Sequence, residues 1–430
     1  MPSGAMRGVR PGRIWASRRA CVLLSLFFSV ALLWLNAPAV AHTTEPTACM
    51  LRDTLSAMAA ASGSGSNRTP TPQTEVRLYW WFRWQGTRRF KSRREYLCRH
   101  KLRCIMDSSD AAFTSSHAVV VWVGARPERE CLPPHLPNQP WLLEYSESPA
   151  YYPELWDAAF TARFSLKASY ELDSDIVLTS LHPLVEGGVV DPSRWLPPHP
   201  SKRNAIVFLA SNCESKNARE ELVRRLQRAL PATRLPLHSV GRCLHNFDAP
   251  SLAPKTGAWA GAGEGDDSSL ASKLELLRSY QFCLVLENSN AADYVTEKLF
   301  HAFAAGCLPI YYGSSDVQKV LPHPKAVIQV MAHSAIEDLV QELESLAGSP
   351  EQLVARLAWR EDRLAVRRWW RGLLNQTAVS RTGTKRKLFC AFCEAVSSLQ
   401  QRATTRPGKG VWPRLPASRR PAMDTWSPLM

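Results

Sequence analysis

A second Cys-x-x-Cys is missing from this 430-residue chain. Cys390-Ala391-Phe392-Cys393 stands alone, so a zinc site built from two such motifs is excluded. Acid is also short: 38 Asp and Glu face 53 Lys and Arg, a formal net charge of +15. The shortage is local. Residues 1–20 hold five Arg and no acid, residues 88–103 hold eight basic residues against Glu95, and residues 402–430 hold six against Asp424. The remainder is close to neutral. A basic groove running across the fold is therefore excluded, and nucleic acid is not an expected partner. Long hydrophobic runs are absent with one exception, Ala20 to Leu35, extended weakly through Asn36 and Pro38 to Ala41.

That exception sets the compartment. Arginines precede the run and little charge follows it, which suits a cytosolic N-terminus. Its 16 strongly apolar residues are short for a span, and the 22 of residues 20–41 are adequate. One reading is an uncleaved signal anchor, giving a type II membrane protein with one N-terminal span. The other is a cleaved signal, because Ala39-Val40-Ala41 before His42 has the small-residue cleavage pattern. Both place the rest of the chain in the secretory lumen. Of eleven cysteines, Cys21 lies in the apolar run, and the other ten face an oxidising compartment. Cys390 and Cys393 are expected to close a tight local disulfide. Cys98 with Cys104, and Cys213 with Cys243, pair by proximity alone, and connectivity does not follow from sequence.

The chain divides by composition. Residues 1–19 form a basic tail and 20–41 the anchor or signal. Residues 42–74 read as a stem, since AAASGSGSNRTPTPQT is small, polar and Pro-containing and cannot bury a core. Asn67 and Asn375 begin glycosylation sequons. Residues 75–190 form a first domain, with strands expected over 76–84, 118–123, 141–145 and 176–178. The basic run between the first two is either an amphipathic helix or, on the blander reading, a solvated face. Residues 191–204 are Pro-rich and aperiodic, as a linker is. Residues 205–375 form a second domain. Its first strand leads to a helix capped by Asn217, with Leu222, Leu226 and Leu230 on one face. Residues 249–270 read as a flexible insertion, 376–401 as a segment around the Cys-x-x-Cys, and 402–430 as a disordered basic tail.

One stretch organises the second domain: YQFCLVLENSNAADYVTEKLFHAFAAGCLPIYYG, from Tyr280 to Gly313. Phe282 to Leu286 predicts a buried strand, and Glu287 to Asp293 a polar loop. Thr296 is expected to cap a helix that Gly306 ends, and Leu308 to Tyr312 predicts a second strand. In an α/β sheet, the loop after a strand and the next helix start form the ligand crevice, where free N–H groups favour an anion. An ordinary βαβ unit would give the same pattern. In the first domain, Glu147-Ser148-Pro149 follows the strand over 141–145, where such domains present catalytic side chains. Asp173-Ser174-Asp175 can hold a divalent metal, but it precedes a strand, and no metal site is assigned.

These segments, in this order, resemble the inverting α1,3/4-fucosyltransferases that use GDP-fucose. The likeness rests on ENSNAADYVTEKLFHAFAAGCLPIYYG, on SESP at 146–149, SYELDSDI at 169–176, SNCESKNAR at 211–219, VGRCLHN at 240–246 and the late CAFC. YYPE at 151–154 and SNCESKNAR look most like the plant-type enzymes that fucosylate the N-glycan core. The resemblance implies a GT-B architecture, two Rossmann-like α/β domains facing a cleft, with acceptor on the first and nucleotide sugar on the second. It implies Glu147 as general base. It implies Arg219, Asn246, Glu287, Asn288, Tyr294, Glu297 and Lys298 around the donor, with Arg219 and Lys298 on the diphosphate and Glu297 near the fucose or ribose. No cofactor is required on this reading; GDP-fucose is the donor substrate and a divalent cation at most stimulates. A glycoprotein N-glycan is the expected acceptor, fucosylated in α1,3 linkage on GlcNAc, and a Golgi membrane the expected location. Lewis-type antennae, direct protein O-fucosylation or an inactive anchored glycan-binding protein stand as alternatives. The chain departs from the family at Glu171-Leu172, where an Arg-Ser pair is usual, and in the length of the 249–270 insertion.

Overall fold

The structure is a computed structural model. It describes residues 48–61, 74–81, 93–125, 132–137, 139–178, 192, 195, 201–230, 233–249, 267–376 and 385–404. The apolar run over 20–41, Asn67, most of the linker and the insertion, and the tail beyond 404 lie outside these residues. No helix among the described residues is long and apolar enough to cross a membrane.

The first half begins with α1 (Ala48–Ala61), inside the segment read as a stem. Its Leu55 is fully buried against Tyr79, Trp81 and Phe113. Seven strands follow: β1 (Glu75–Trp81), β2 (Arg94–Leu97), β3 (Arg103–Asp107), β4 (Ala118–Trp122), β5 (Trp141–Glu144), β6 (Leu166–Ser169) and β7 (Ile176–Val177). The short helix α2 (Ala158–Thr161) is capped by Asp157, whose side chain accepts from the Ala159 N–H. The strand order is β2-β3-β1-β4-β5-β6-β7. All pairs are parallel except β2 with β3. The basic run is thus not a helix where it is described. Residues 94–97 form an edge strand of alternating burial, with Arg94 and Tyr96 half-buried and Glu95 and Leu97 exposed.

The second half contains β8 (Arg203–Phe208), α3 (Arg219–Ala229), β9 (Leu237–Ser239), α4 (Asp267–Arg278), β10 (Tyr280–Leu286), α5 (Glu297–Ala305), β11 (Leu308–Tyr312) and β12 (Ile328–Gln329). Then come α6 (Ile336–Ala347), α7 (Pro350–Leu357), α8 (Arg363–Asn375) and α9 (Lys385–Thr404). The sheet order is β12-β11-β10-β8-β9, every pair parallel. Its strands are apolar on both faces because helices cover both. One layer joins Leu299, Phe300 and Phe303 of α5 to Leu274 and Leu277 of α4 and Trp370 of α8. The other joins Leu222, Val223 and Leu226 of α3 to Leu339 and Leu343 of α6. The leucine face expected on α3 is the buried one. The described residues thus form two α/β sheets, the first parallel but for β2 and the second wholly parallel, and they belong to one unit of the chain, Ala48–Met430.

Helix α9 does not stay with the second half. Phe389, Phe392, Val396 and Leu399 bury against Val76, Leu78 and Val120 of the first sheet. Two disulfides fix it there, Cys98–Cys390 and Cys104–Cys393. This corrects the expected local Cys390–Cys393 bond and the Cys98–Cys104 pair. Residues three apart on a helix share one face, so both sulfurs of α9 point at β2 and β3 rather than at each other. A third disulfide, Cys283–Cys307, joins the middle of β10 to the residue before β11. Cys213 and Cys243, a possible pair by proximity, are thiols, the first exposed and the second buried. Asn375 lies exposed at the end of α8.

Candidate active site

The parallel sheet of the second half has its topological switch between β8 and β10. On one side of β8 the chain steps to β9, on the other to β10. Loops leaving two such neighbouring strands open a crevice at the carboxyl edge of the sheet. Here they are residues 209–218 and 287–296, which contain SNCESKNA and ENSNAADYVT.

The two loops are laced together. The Lys216 N–H donates to the Asn288 carbonyl at 2.8 Å. Asn217 Nδ2 donates to the Glu287 carbonyl at 3.1 Å and to Asn290 Oδ1 at 2.6 Å. Asn217 was expected to cap α3, but the N-cap position is Ala218, in the left-handed region at φ 54. Arg219 opens α3 with 3% exposure. Its Nη1 donates to the Leu286 carbonyl at 2.9 Å, Nη2 to the Asn212 carbonyl at 2.8 Å and Nε to Glu220 at 3.3 Å. One N–H on each Nη is left over from these bonds.

Glu287 is fully buried at the end of β10. Its carboxylate accepts from the Thr296 N–H at 2.8 Å, Thr296 Oγ1 at 2.7 Å and Lys298 Nζ at 3.1 Å. The Thr296 hydroxyl therefore does not cap α5; it is held by Glu287, and Lys298 Nζ donates to it at 2.7 Å. Gly313 is required here: a Cβ would lie 2.6 Å from Tyr311 Oη and 2.7 Å from Glu287 Cγ. Gly306 ends α5 at φ 67, as its position predicts. Burial pulls the Lys298 ammonium down, but Glu287 and Glu297 outweigh it and hold it above its ordinary value. Burial pushes Glu297 up, yet Lys298, Lys273 and His301 hold it at about 2. Both charges persist at any working pH. Glu297 is partly exposed beside Lys298, 3.5 Å away.

Two members of this cluster escaped sequence reasoning. Lys273 reaches in from α4, where burial depresses it. His301, four residues after Glu297, is 4% exposed with no partner on either ring nitrogen. The i,i+4 spacing was its one available signal.

The remaining expected residues lie differently. Asn288 is half-buried; its backbone carbonyl takes the Tyr151 hydroxyl at 3.4 Å, while its Oδ1 has no partner. Asn246 Oδ1 accepts from the Ser239 N–H at 2.6 Å, and its Nδ2 donates to the Leu237 carbonyl at 2.9 Å. Its side chain closes the turn after β9.

Glu147 follows β5, in the loop that faces this crevice from the first half. Tyr294 Oη donates to Glu147 Oε2 at 2.6 Å. Beside that contact, Ser148 Oγ donates to Ser289 Oγ at 2.7 Å and the Leu172 N–H to Asp293 Oδ2 at 3.1 Å. Sequence reasoning had brought Glu147 only to the same cleft as the donor stretch; these bonds put them in contact. Asp173 and Asp175 serve the first sheet. Lys167 Nζ donates to Asp173 at 2.5 Å and to Glu171 at 2.7 Å, and the Lys167 N–H to Asp175 at 2.9 Å. No group of three or more metal-ligating side chains occurs among the described residues.

Residues 199–408 match the model "Glycosyltransferase family 10 (fucosyltransferase) C-term". A GDP-fucose protein O-fucosyltransferase 3 from Danio rerio is 27% identical over 54% of this chain and 48% of its own. An α-(1,3)-fucosyltransferase B from Drosophila melanogaster is 29% identical over 50% and 47%. A solved α1,3-fucosyltransferase covers 72% of this chain and 87% of its own at 18% identity and TM-score 0.43. The chain thus spans about half the length of the curated relatives it matches. Residues 199–408, which hold the β8–β10 crevice and its Glu287–Lys298 core, thus carry the match to glycosyltransferase family 10, the fucosyltransferases.

Proposed function

We propose that this chain transfers L-fucose from GDP-fucose to a glycoprotein acceptor with inversion at the anomeric carbon. The observation that carries the reading is the 2.6 Å contact of Glu147 with the donor stretch. It sets a carboxylate with one open oxygen beside a crevice whose fixed cations suit a diphosphate. In the reaction, Glu147 takes the proton of the acceptor hydroxyl. The acceptor oxygen bonds to C1 of fucose from the face opposite the diphosphate. The C1–O bond breaks, and GDP leaves with the electron pair. The transition state is oxocarbenium-like, as in glycoside cleavage. Lys298 and the two remaining Arg219 N–H groups receive the charge that builds on the leaving diphosphate. Fixed cations in these places remove the need for a required metal, and turnover is expected to persist in a chelator.

The acceptor proposed is a GlcNAc of an N-glycan, fucosylated in α1,3 linkage and most simply at the core. A second reading, transfer to a protein hydroxyl, is favoured by one observation: the Danio rerio relative is a protein O-fucosyltransferase. A Golgi lumenal location on an N-terminal signal anchor completes the proposal, supported by three disulfides that need an oxidising compartment. Incubating the lumenal part with GDP-fucose, N-glycopeptides and folded unglycosylated protein modules, then mapping the product by mass spectrometry, separates the readings. Fucose on GlcNAc supports the first and fucose on Ser or Thr the second. No transfer and no GDP release would sink both.

A further inference from the structure

We infer that Tyr294, though part of the donor stretch, acts across the cleft as the positioning residue that fixes and orients Glu147. The inference rests on the reading of Glu147 as base.

Tyr294 is 3% exposed, and its surroundings belong to the first half of the molecule. It is buried in the same cluster as Tyr79, Trp141, Tyr145, Leu155 and Phe160. Its ring meets Tyr170 edge-on, centroids 5.0 Å apart at 72°. The backbone is shaped to deliver it there. Asp293 sits in the left-handed region at φ 58, and its carboxylate is clamped from both sides. Oδ2 accepts from the Leu172 N–H of the first half at 3.1 Å, and Oδ1 from Lys319 Nζ of the second at 3.0 Å. The Tyr294 N–H returns to the Ala291 carbonyl at 3.1 Å, which closes the turn.

The hydroxyl at the end of this arm has one partner, Glu147 Oε2, at a separation typical of O–H donating to a carboxylate. Glu147 Oε1 has no protein donor within hydrogen-bond reach among the described residues. One carboxylate oxygen is thus held and the other is left to take a proton. Toward the carboxylate the phenol can only donate: burial first, then the Glu147 charge, hold its own proton well above the ordinary tyrosine value. With its one proton on Glu147 and its ring buried, the hydroxyl has no proton left to give to a nucleotide sugar. Tyr294 therefore belongs functionally with the base and not with the donor contacts.

The test is Tyr294→Phe, which removes one oxygen, compared with the unaltered chain in GDP-fucose turnover and GDP-fucose affinity. Loss of a hydrogen bond to a charged group predicts a fall in kcat on the order of 10- to 100-fold. The Kd for GDP-fucose stays within about twofold, and the double variant with Glu147→Gln falls no further than Glu147→Gln alone. An unchanged kcat, or a donor Kd raised about tenfold or more with kcat intact, overturns the inference while transfer by the unaltered chain keeps the base assignment. Absence of turnover in the unaltered chain overturns the reading beneath it and the inference with it. Should the Phe variant fail to fold, a difluorinated tyrosine at position 294 keeps shape and bond but ionises more readily. Its altered hydrogen bond must change kcat while the Kd for GDP-fucose stays within about twofold; a changed Kd with unchanged kcat counts against the inference.

Discussion

The two faces of the cleft rest on similar parallel sheets but use their charges differently. On the donor face, charge is locked into the fold. Glu287 is fully buried and holds Thr296 and Lys298, Arg219 braces two loop carbonyls, and Glu297 is fixed as a carboxylate among Lys298, Lys273 and His301. On the face proposed to take the acceptor, Glu147 sits in a loop with one oxygen held by Tyr294 and the other open. Removing a donor-face charge should therefore disturb the fold along with binding. Removing the acceptor-face carboxylate should disturb chemistry alone. A site that must meet a diphosphate gains from cations whose geometry is set before the ligand arrives. A base must stay reachable by a hydroxyl that comes and goes.

The sharpest way to break this contrast is Lys298→Met. It leaves the Glu287 carboxylate buried without its cation, which costs roughly 3–5 kcal/mol. Urea unfolding should show that loss, and calorimetry should show weaker GDP binding. A stability change below about 1 kcal/mol would mean that the donor face is not charge-locked, since surface changes fall in that range. Next comes the strap between the halves. Replacing Cys98 and Cys390 together by Ser should lower stability by about 2–4 kcal/mol. The first half should lose protection from amide exchange before the second, because α9 is held to the first sheet. Uniform loss across both halves would contradict that placement.

A smaller effect separates the faces by pH. His301 is held well below its ordinary value of 6.5, by burial first and then by Lys273 and Lys298, with Glu297 opposing. Its contribution is fully present above pH 6.5 and is lost as pH falls below that value, where the unfolded chain takes up the proton first. His301→Leu should flatten the acid-side stability loss by up to about 1.4 kcal/mol per pH unit. An unchanged slope would show that the ring is neither dry nor close to the cations.

How much of this was legible in the sequence differs between the faces for a physical reason. The donor face is a contiguous strand, loop, helix and strand, so Tyr280–Gly313 could be read from period and caps, including the stop at Gly306. What remained hidden was long-range. A hydroxyl expected at a cap was claimed by Glu287, nine residues earlier, and Arg219 found one carbonyl at the end of β10 and one in the loop after β8. The acceptor face depends on contacts across more than a hundred residues, such as Tyr294 with Glu147 and Leu172 with Asp293, which no local pattern encodes. The disulfides were missed on the same ground. Proximity in sequence favoured Cys390 with Cys393, whereas the helix carrying them folds back onto β2 and β3. Glu144, at the end of β5, was likewise unmarked; burial without a partner on Oε2 pushes it up to about 8.

The central claim is that base and donor clamp lie on opposite faces of one cleft and fail independently. Glu147→Gln tests it most directly, with fucosyl transfer, GDP-fucose affinity and unfolding measured on one preparation. Turnover should fall by about 10²- to 10⁴-fold, while donor affinity stays within about threefold and stability within about 0.5 kcal/mol. Unaltered turnover, or a loss of donor affinity that accounts for the whole fall, would contradict it.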